Sequence, residues 1–154
     1  MGMIETIVPV IVGGMIGIAG TIAGPPLTHF LSQRAEQKRT RQAKLQELIC
    51  LLYDHNTYAG QIMILRVTAQ PEPSSAPPLP RALALVAVHL PELDEDLETL
   101  YTLYMEHDVE TARLRVEWLA GNRDAPKEAG MNTYRSYVQR HVQIIRRIKK
   151  MVQA

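Results

Sequence analysis

Arg135 and His141 stand six residues apart, with five residues between them, on a basic segment near the C-terminus. An imidazole exchanges protons near neutral pH and a guanidinium stabilises the charge that builds on a phosphoryl group. The pair is therefore a candidate for phosphodiester cleavage. On one straight α-helix the two project roughly 120° apart, so a single helix does not bring them together. A second constellation is Asp54-His55 and Glu106-His107-Asp108, which sit in similar contexts, LYDH at 52–55 and LYMEHD at 103–108. Two helices offering His55 and His107 to a shared metal would make a bundle-core site, but the paired Glu-x-x-His pattern of di-iron proteins is missing. Polar groups satisfied by backbone or solvent are the default for such positions. The chain has no Gly-rich phosphate loop, Cys pair, H-E-x-x-H or G-x-S-x-G, so most familiar enzyme classes drop out and no cofactor is implied.

The elements that would carry these groups follow from composition and periodicity. With 154 residues, 46% hydrophobic and 5% aromatic, the chain holds one domain's worth of material. Its lone cysteine, Cys50, excludes a disulfide framework and reads as a buried thiol in a reducing compartment. The formal net charge of +1 hides a strong segregation. From Thr6 to Gln33 there is no Asp, Glu, Lys or Arg. A helix from Thr6 to Gly24 would be roughly 28 Å long, close to the ~30 Å hydrocarbon core of a bilayer. Residues 1–27 are thus expected to be a retained transmembrane anchor, because Glu5 and the lack of preceding Lys or Arg do not suit a cleaved signal.

Arg34, Lys38, Arg39, Arg41 and Lys44 all follow the apolar run and none precedes it. This asymmetry predicts an N-terminus outside and a body in the cytoplasm. The same five groups have the composition of an anionic-lipid contact. Within the span, Gly13, Gly17, Gly20 and Gly24 share one helical stripe, the small-residue pattern that lets membrane helices approach closely. Self-association, or docking on a partner helix, is the expectation. Pro25-Pro26 should kink or restart the helix at the interface.

Residues 28–68 read as a charged stalk continuing into a long amphipathic helix, with Leu45, Leu48, Leu52, Ala59 and Ile62 on its apolar face. Residues 69–80 hold five of the ten prolines and one charge, which makes them a semi-rigid connector. Residues 81–154 complete a cytoplasmic helical bundle: a short apolar helix in RALALVAVHL, a helix opening at Pro91, a break at 121–130, and a last helix from about Asn132 to Val152. No segment alternates with period two, so the fold class is all-α. Glu92 to Glu110 holds eight acids and no Lys or Arg, whereas Tyr134 to Ala154 holds six basic groups and no acid. Antiparallel packing of these two helices would pair opposite charges, and it is preferred to a basic tail lying on the membrane through Ile144, Ile145, Ile148 and Met151.

This layout, with LxELxxLLYDHxxY, a Pro-rich break and HLPELxxxLxxL, resembles a group of small bacterial membrane proteins of no established function. More distantly, the span, the helical body and Arg135 with His141 are similar to the accessory membrane protein of certain RNA-targeting CRISPR systems, a resemblance that implies assembly into a ring-like pore. The Arg-x5-His spacing also resembles HEPN ribonucleases, which would make His141 the general acid/base and Arg135 the phosphoryl clamp. The leading expectation is a non-enzymatic single-pass membrane protein that self-associates. A small accessory subunit of a larger membrane complex and a membrane-tethered HEPN-like ribonuclease are the alternatives. Membrane lipid and further copies of the chain are the expected partners. Direct nucleic-acid binding is not expected, because the basic tail lacks interleaved exposed aromatics.

Overall fold

The computed structural model describes the backbone of residues 3–68, 70–122 and 128–153, and the side chains of these from His29 onward except Ala129. Its elements are α1 (Met3–Val67), α2 (Leu79–His89), a 3-10 turn (Pro91–Leu93), α3 (Asp94–Leu119) and α4 (Glu128–Gln153), with no strand among the described residues. The fold is all-α. Contacts divide the chain into two compact units, Met1–Thr40 and Arg41–Ala154.

In the first unit, α1 continues as helix through Pro25-Pro26 without a restart. Each proline removes one amide donor, and the flanking turns remain helical on both sides. The span Ile7 to Gly24 and its glycines Gly13, Gly17, Gly20 and Gly24 lie outside the residues whose side chains are described. Among the described residues no helix is long and apolar enough to cross a membrane. Phe30 is half exposed, and the Arg34 guanidinium stands 4.4 Å over its ring.

The second unit is a helical bundle whose core follows a 3-4 repeat. On α1 the repeat buries Leu45, Leu48, Leu52, His55, Ala59, Ile62 and Arg66, with Leu51 buried beside it. Alternating steps of three and four keep one seam facing its neighbours. Two of those seam positions are polar. On α3 the same repeat buries Leu97, Leu100, Tyr104, His107, Thr111 and Leu114, and on α4 it buries Tyr137, His141, Ile144 and Ile148. Cys50 falls on the opposite side of α1 from this seam and is exposed, which corrects the expectation of a buried thiol.

The helix ends are set locally. At the end of α3, Gly121 adopts φ 88°, its N–H donates to the Trp118 carbonyl at 3.1 Å, and the Asn122 N–H donates to the Glu117 carbonyl at 3.0 Å. These two bonds form a Schellman cap, which needs a residue free of a Cβ at the left-handed position. α4 then starts at Glu128, earlier than the Asn132 read from sequence. Gly130 lies buried against α3, and a Cβ there would meet Leu114 Cδ1 at 2.9 Å.

α3 and α4 pack antiparallel, as their opposite charges suggested. Asp96 near the start of α3 accepts from Arg140 Nη2 at 2.7 Å and from Arg147, while His107 further along α3 faces Thr133 near the start of α4. Ile144, Ile145 and Ile148 are buried in the bundle core, so the apolar face of α4 is spent on the bundle in this structure. Expected lipid-facing cations are also engaged within the chain: Arg41 donates to Glu92 Oε1 at 2.8 Å and Lys44 to Glu47 Oε2 at 2.8 Å.

Candidate functional site

Each of the three long helices places one histidine in the seam, and tyrosines join them. The His55 ring meets the Tyr104 ring edge to face at 4.5 Å, the Tyr137 ring edge to face at 5.8 Å, and Tyr58 in a stacked arrangement at 6.3 Å. Tyr137 continues to His141 at 6.1 Å and to Tyr134 at 6.2 Å, and Tyr134 reaches His107 at 5.1 Å. Aromatic pairs at these separations are each worth roughly 0.5–1.5 kcal/mol beyond the area they bury.

His55 is the centre of the cluster. It is fully buried, and neither ring nitrogen has a hydrogen-bond partner. The Tyr137 hydroxyl is also buried without a partner. Burial, followed by the proximity of His141, pushes the His55 pKa down from 6.5 to about 4. Burial pushes the Tyr104 phenol up to about 12 and raises Tyr137 further still. The centre is therefore an uncharged ring cluster at neutral pH, one that receives a proton only against its surroundings.

The two outer histidines are held by main-chain oxygens or hydroxyls. His141 Nε2 lies 2.9 Å from the Leu52 carbonyl oxygen. A carbonyl only accepts, so Nε2 carries the proton and donates. Burial lowers the His141 pKa, and the Leu52 bond offsets part of that. His107 Nδ1 sits 3.4 Å from Thr133 Oγ1, whose own hydroxyl donates to the Gly130 carbonyl at 3.0 Å. Burial lowers the His107 pKa against a bond to that same carbonyl.

These contacts decide what the sequence candidates can do. Arg135 is exposed on α4 while His141 is buried against α1. The structure does not bring them to a common reacting atom within one chain. His55 and His107 belong to one ring cluster, but Tyr104, Tyr137 and Tyr134 link them. The adjacent acids are elsewhere: Asp54 and Glu106 are exposed, and Asp108 accepts from Arg66. Among the described residues no group of three or more His, Cys, Asp or Glu is placed to hold a metal ion. A His141→Leu substitution is expected to lower stability by about 1 kcal/mol, the net worth of one buried hydrogen bond, measured by urea unfolding.

A second polar centre escaped the sequence reading. Arg66, the last seam position of α1, is buried and directs Nε and Nη2 to Glu72 at 3.1 and 3.2 Å. Its Nη1 donates to the Asp108 carbonyl at 2.7 Å, Asp108 Oδ1 at 2.8 Å and Thr111 Oγ1 at 3.0 Å. Arg115 adds another bond to Glu72. Glu72 is the only charge in the Pro-rich connector. Arg66, and then Arg115, hold its carboxyl below the usual carboxylate range. The fork geometry of a guanidinium ties the connector to α3 through one side chain. Two signals in the sequence pointed here: the seam spacing continued through Arg66, and the connector carried a single acid.

Compared with protein-family models, curated proteins and solved structures, the chain matches none. The class that the fold defines is an all-α chain with a helical bundle in its second unit.

Proposed function

We propose that this chain is a non-enzymatic, single-pass protein of a bacterial inner membrane that self-associates, an oligomeric effector or accessory acting at the membrane. The observation that carries this reading is the stretch from Thr6 to Gln33, which lacks every Asp, Glu, Lys and Arg and is followed, not preceded, by Arg34, Lys38, Arg39, Arg41 and Lys44. The N-terminus then faces outward and the bundle inward. Gly13, Gly17, Gly20 and Gly24 supply a close-packing stripe between spans. His141 held to a main-chain carbonyl, and His55 kept neutral among tyrosines, support a packing role for the histidines over a catalytic one.

The test is the size of the full-length protein, expressed alone and purified in mild detergent. A discrete oligomer is expected, and Gly17→Leu should convert it to smaller species by placing a branched side chain where backbones approach. A monomeric wild-type protein would instead favour an accessory subunit that needs another chain. Gly17→Leu without effect would remove the stripe as the contact surface.

A further inference from the structure

Two helices of the bundle carry an exposed face that their core packing leaves unused. On α3, Tyr101, Met105, Val109, Val116 and Leu119 are 39–67% exposed. At about 100° per residue they fall within roughly 80° of one another, a continuous apolar stripe. Acids border it: Glu95, Glu106 and Glu117 follow along its outer edge, and the one cation there, Arg113, is tied to Glu110 at 3.0 Å. Met105, Val109, Glu106 and Glu110 line a groove of 520 Å³ that reaches Thr133 of α4.

On α4 the exposed face has the opposite charge. Met131, Arg135, Val142, Arg146 and Lys149 fall within roughly 60° of one another, with Val138, partly buried against the core, at their inner edge. Met131 is 50% exposed and Val142 39%. Arg140 and Arg147 turn to Asp96, but Arg135, Arg146 and Lys149 make no ion pair among the described residues. Met131, Val138 and Arg135, with Met63 of α1, line a second groove of 350 Å³. Thr133 in the first groove and Arg135 in the second are about 160° apart around α4, so the grooves open on opposite sides of that helix.

We propose that the acid-bordered stripe of α3 in one copy of this chain docks on the basic stripe of α4 in the next. This rests on the reading that the chain self-associates, and it names the surfaces through which the bundle contributes. The stripes match in length, each about 27 Å from first to last residue at 1.5 Å rise. They also match in character: apolar side chains on both, with acids along the edge of the α3 stripe and cations interspersed among the apolar side chains of the α4 stripe, an opposition of charge that steers the contact. An anionic bilayer would attract the α4 face and repel the acids that border α3, leaving the α3 stripe uncovered. A second copy covers both. Because the two faces are different and open on opposite sides of α4, the contact is head-to-tail and repeats from copy to copy.

The test uses full-length protein in membranes with Cys50→Ser. Chains carrying Val109→Cys are co-expressed with chains carrying Val142→Cys and treated with a short bismaleimide. Crosslinks between the two kinds of chain are expected. Glu106→Lys alone and Arg135→Glu alone should each lower the yield about tenfold, since like charges then face each other, and the double variant should restore it. Circular dichroism of each variant confirms that the helices are retained. Crosslinks formed by Val109→Cys chains alone would indicate a two-fold contact and overturn the proposal, as would yields indifferent to the charge reversals. Labelling of Val142→Cys by a maleimide on a lipid headgroup, without protein crosslinks, would overturn it in favour of membrane contact. A discrete oligomer in detergent with no Val109–Val142 crosslink overturns this contact and leaves self-association standing; a monomer overturns both.

Discussion

Lowering the pH from 7.5 to 5 is expected to destabilise the bundle by about 2 kcal/mol through His55 alone, rising to about 3 kcal/mol near pH 4. In the unfolded chain this imidazole titrates at its ordinary value of 6.5, and in the folded bundle only at about 4. Between those values the unfolded state binds a proton that the folded state refuses. The contribution is fully present above pH 6.5 and is lost as pH falls towards 4. His107 and His141, also lowered by burial, act in the same direction. Glu72 and Glu92, held below the ordinary 4.5 chiefly by Arg66 and Arg41, add their loss only under more acid conditions. Urea unfolding of the full chain in a non-ionic detergent, followed by Trp118 fluorescence at pH 7.5 and 5, checks this. His55→Phe preserves the ring contacts with Tyr104 and Tyr137 and should remove most of the dependence between these two pH values. An unfolding midpoint that is flat across the same range would contradict the burial of a neutral His55.

Arg66→Met should destabilise the bundle by about 3 kcal/mol and open the connector. The substitution leaves Glu72, Asp108 and Thr111 facing an apolar side chain, and breaking a buried ion pair by removing one partner costs several kcal/mol. The value lies at the low end of that range because the side chains of Glu72 and Asp108 are 30% and 28% exposed and water compensates them in part. Arg66→Lys should recover only a fraction, since one ammonium cannot reach Glu72, Asp108 and Thr111 in the same forked geometry. Limited proteolysis provides a second readout. Cleavage within residues 69–80 should accelerate in Arg66→Met, because Glu72 is the only charge by which that segment is tied to α1 and α3. Unchanged cleavage and an unchanged unfolding midpoint would show that the clamp contributes nothing to folding.

Much of the bundle was legible because the apolar repeat is strong where residues must be buried. Leu45, Leu48, Leu52, Ala59 and Ile62 are the buried face of α1, as their spacing required, and α3 and α4 pair acid against base. The polar members of the same seam were only partly legible. His55 and Arg66 occupy positions that the repeat assigns to the core, but a histidine or arginine is ordinarily exposed, and residue type outweighed register. Their partners come from distant parts of the chain, Tyr104 and Tyr137 for one and Glu72 and Asp108 for the other, which periodicity within one helix cannot supply. The start of α4 was placed late because Glu128 and Gly130 look like loop residues locally, whereas Gly130 is selected by its close approach to Leu114. Cys50 was misplaced for the converse reason: thiols are usually buried, but its register is on the outer face of α1.

The central claim, that the charge-free residues near the start of α1 hold the chain in a bilayer, is tested most directly by alkaline carbonate extraction of membranes containing the full-length protein. The account predicts that the protein stays with the sedimented membranes through the carbonate wash and is released only by detergent. Full-length protein recovered in the carbonate supernatant, with its helices intact, would contradict it.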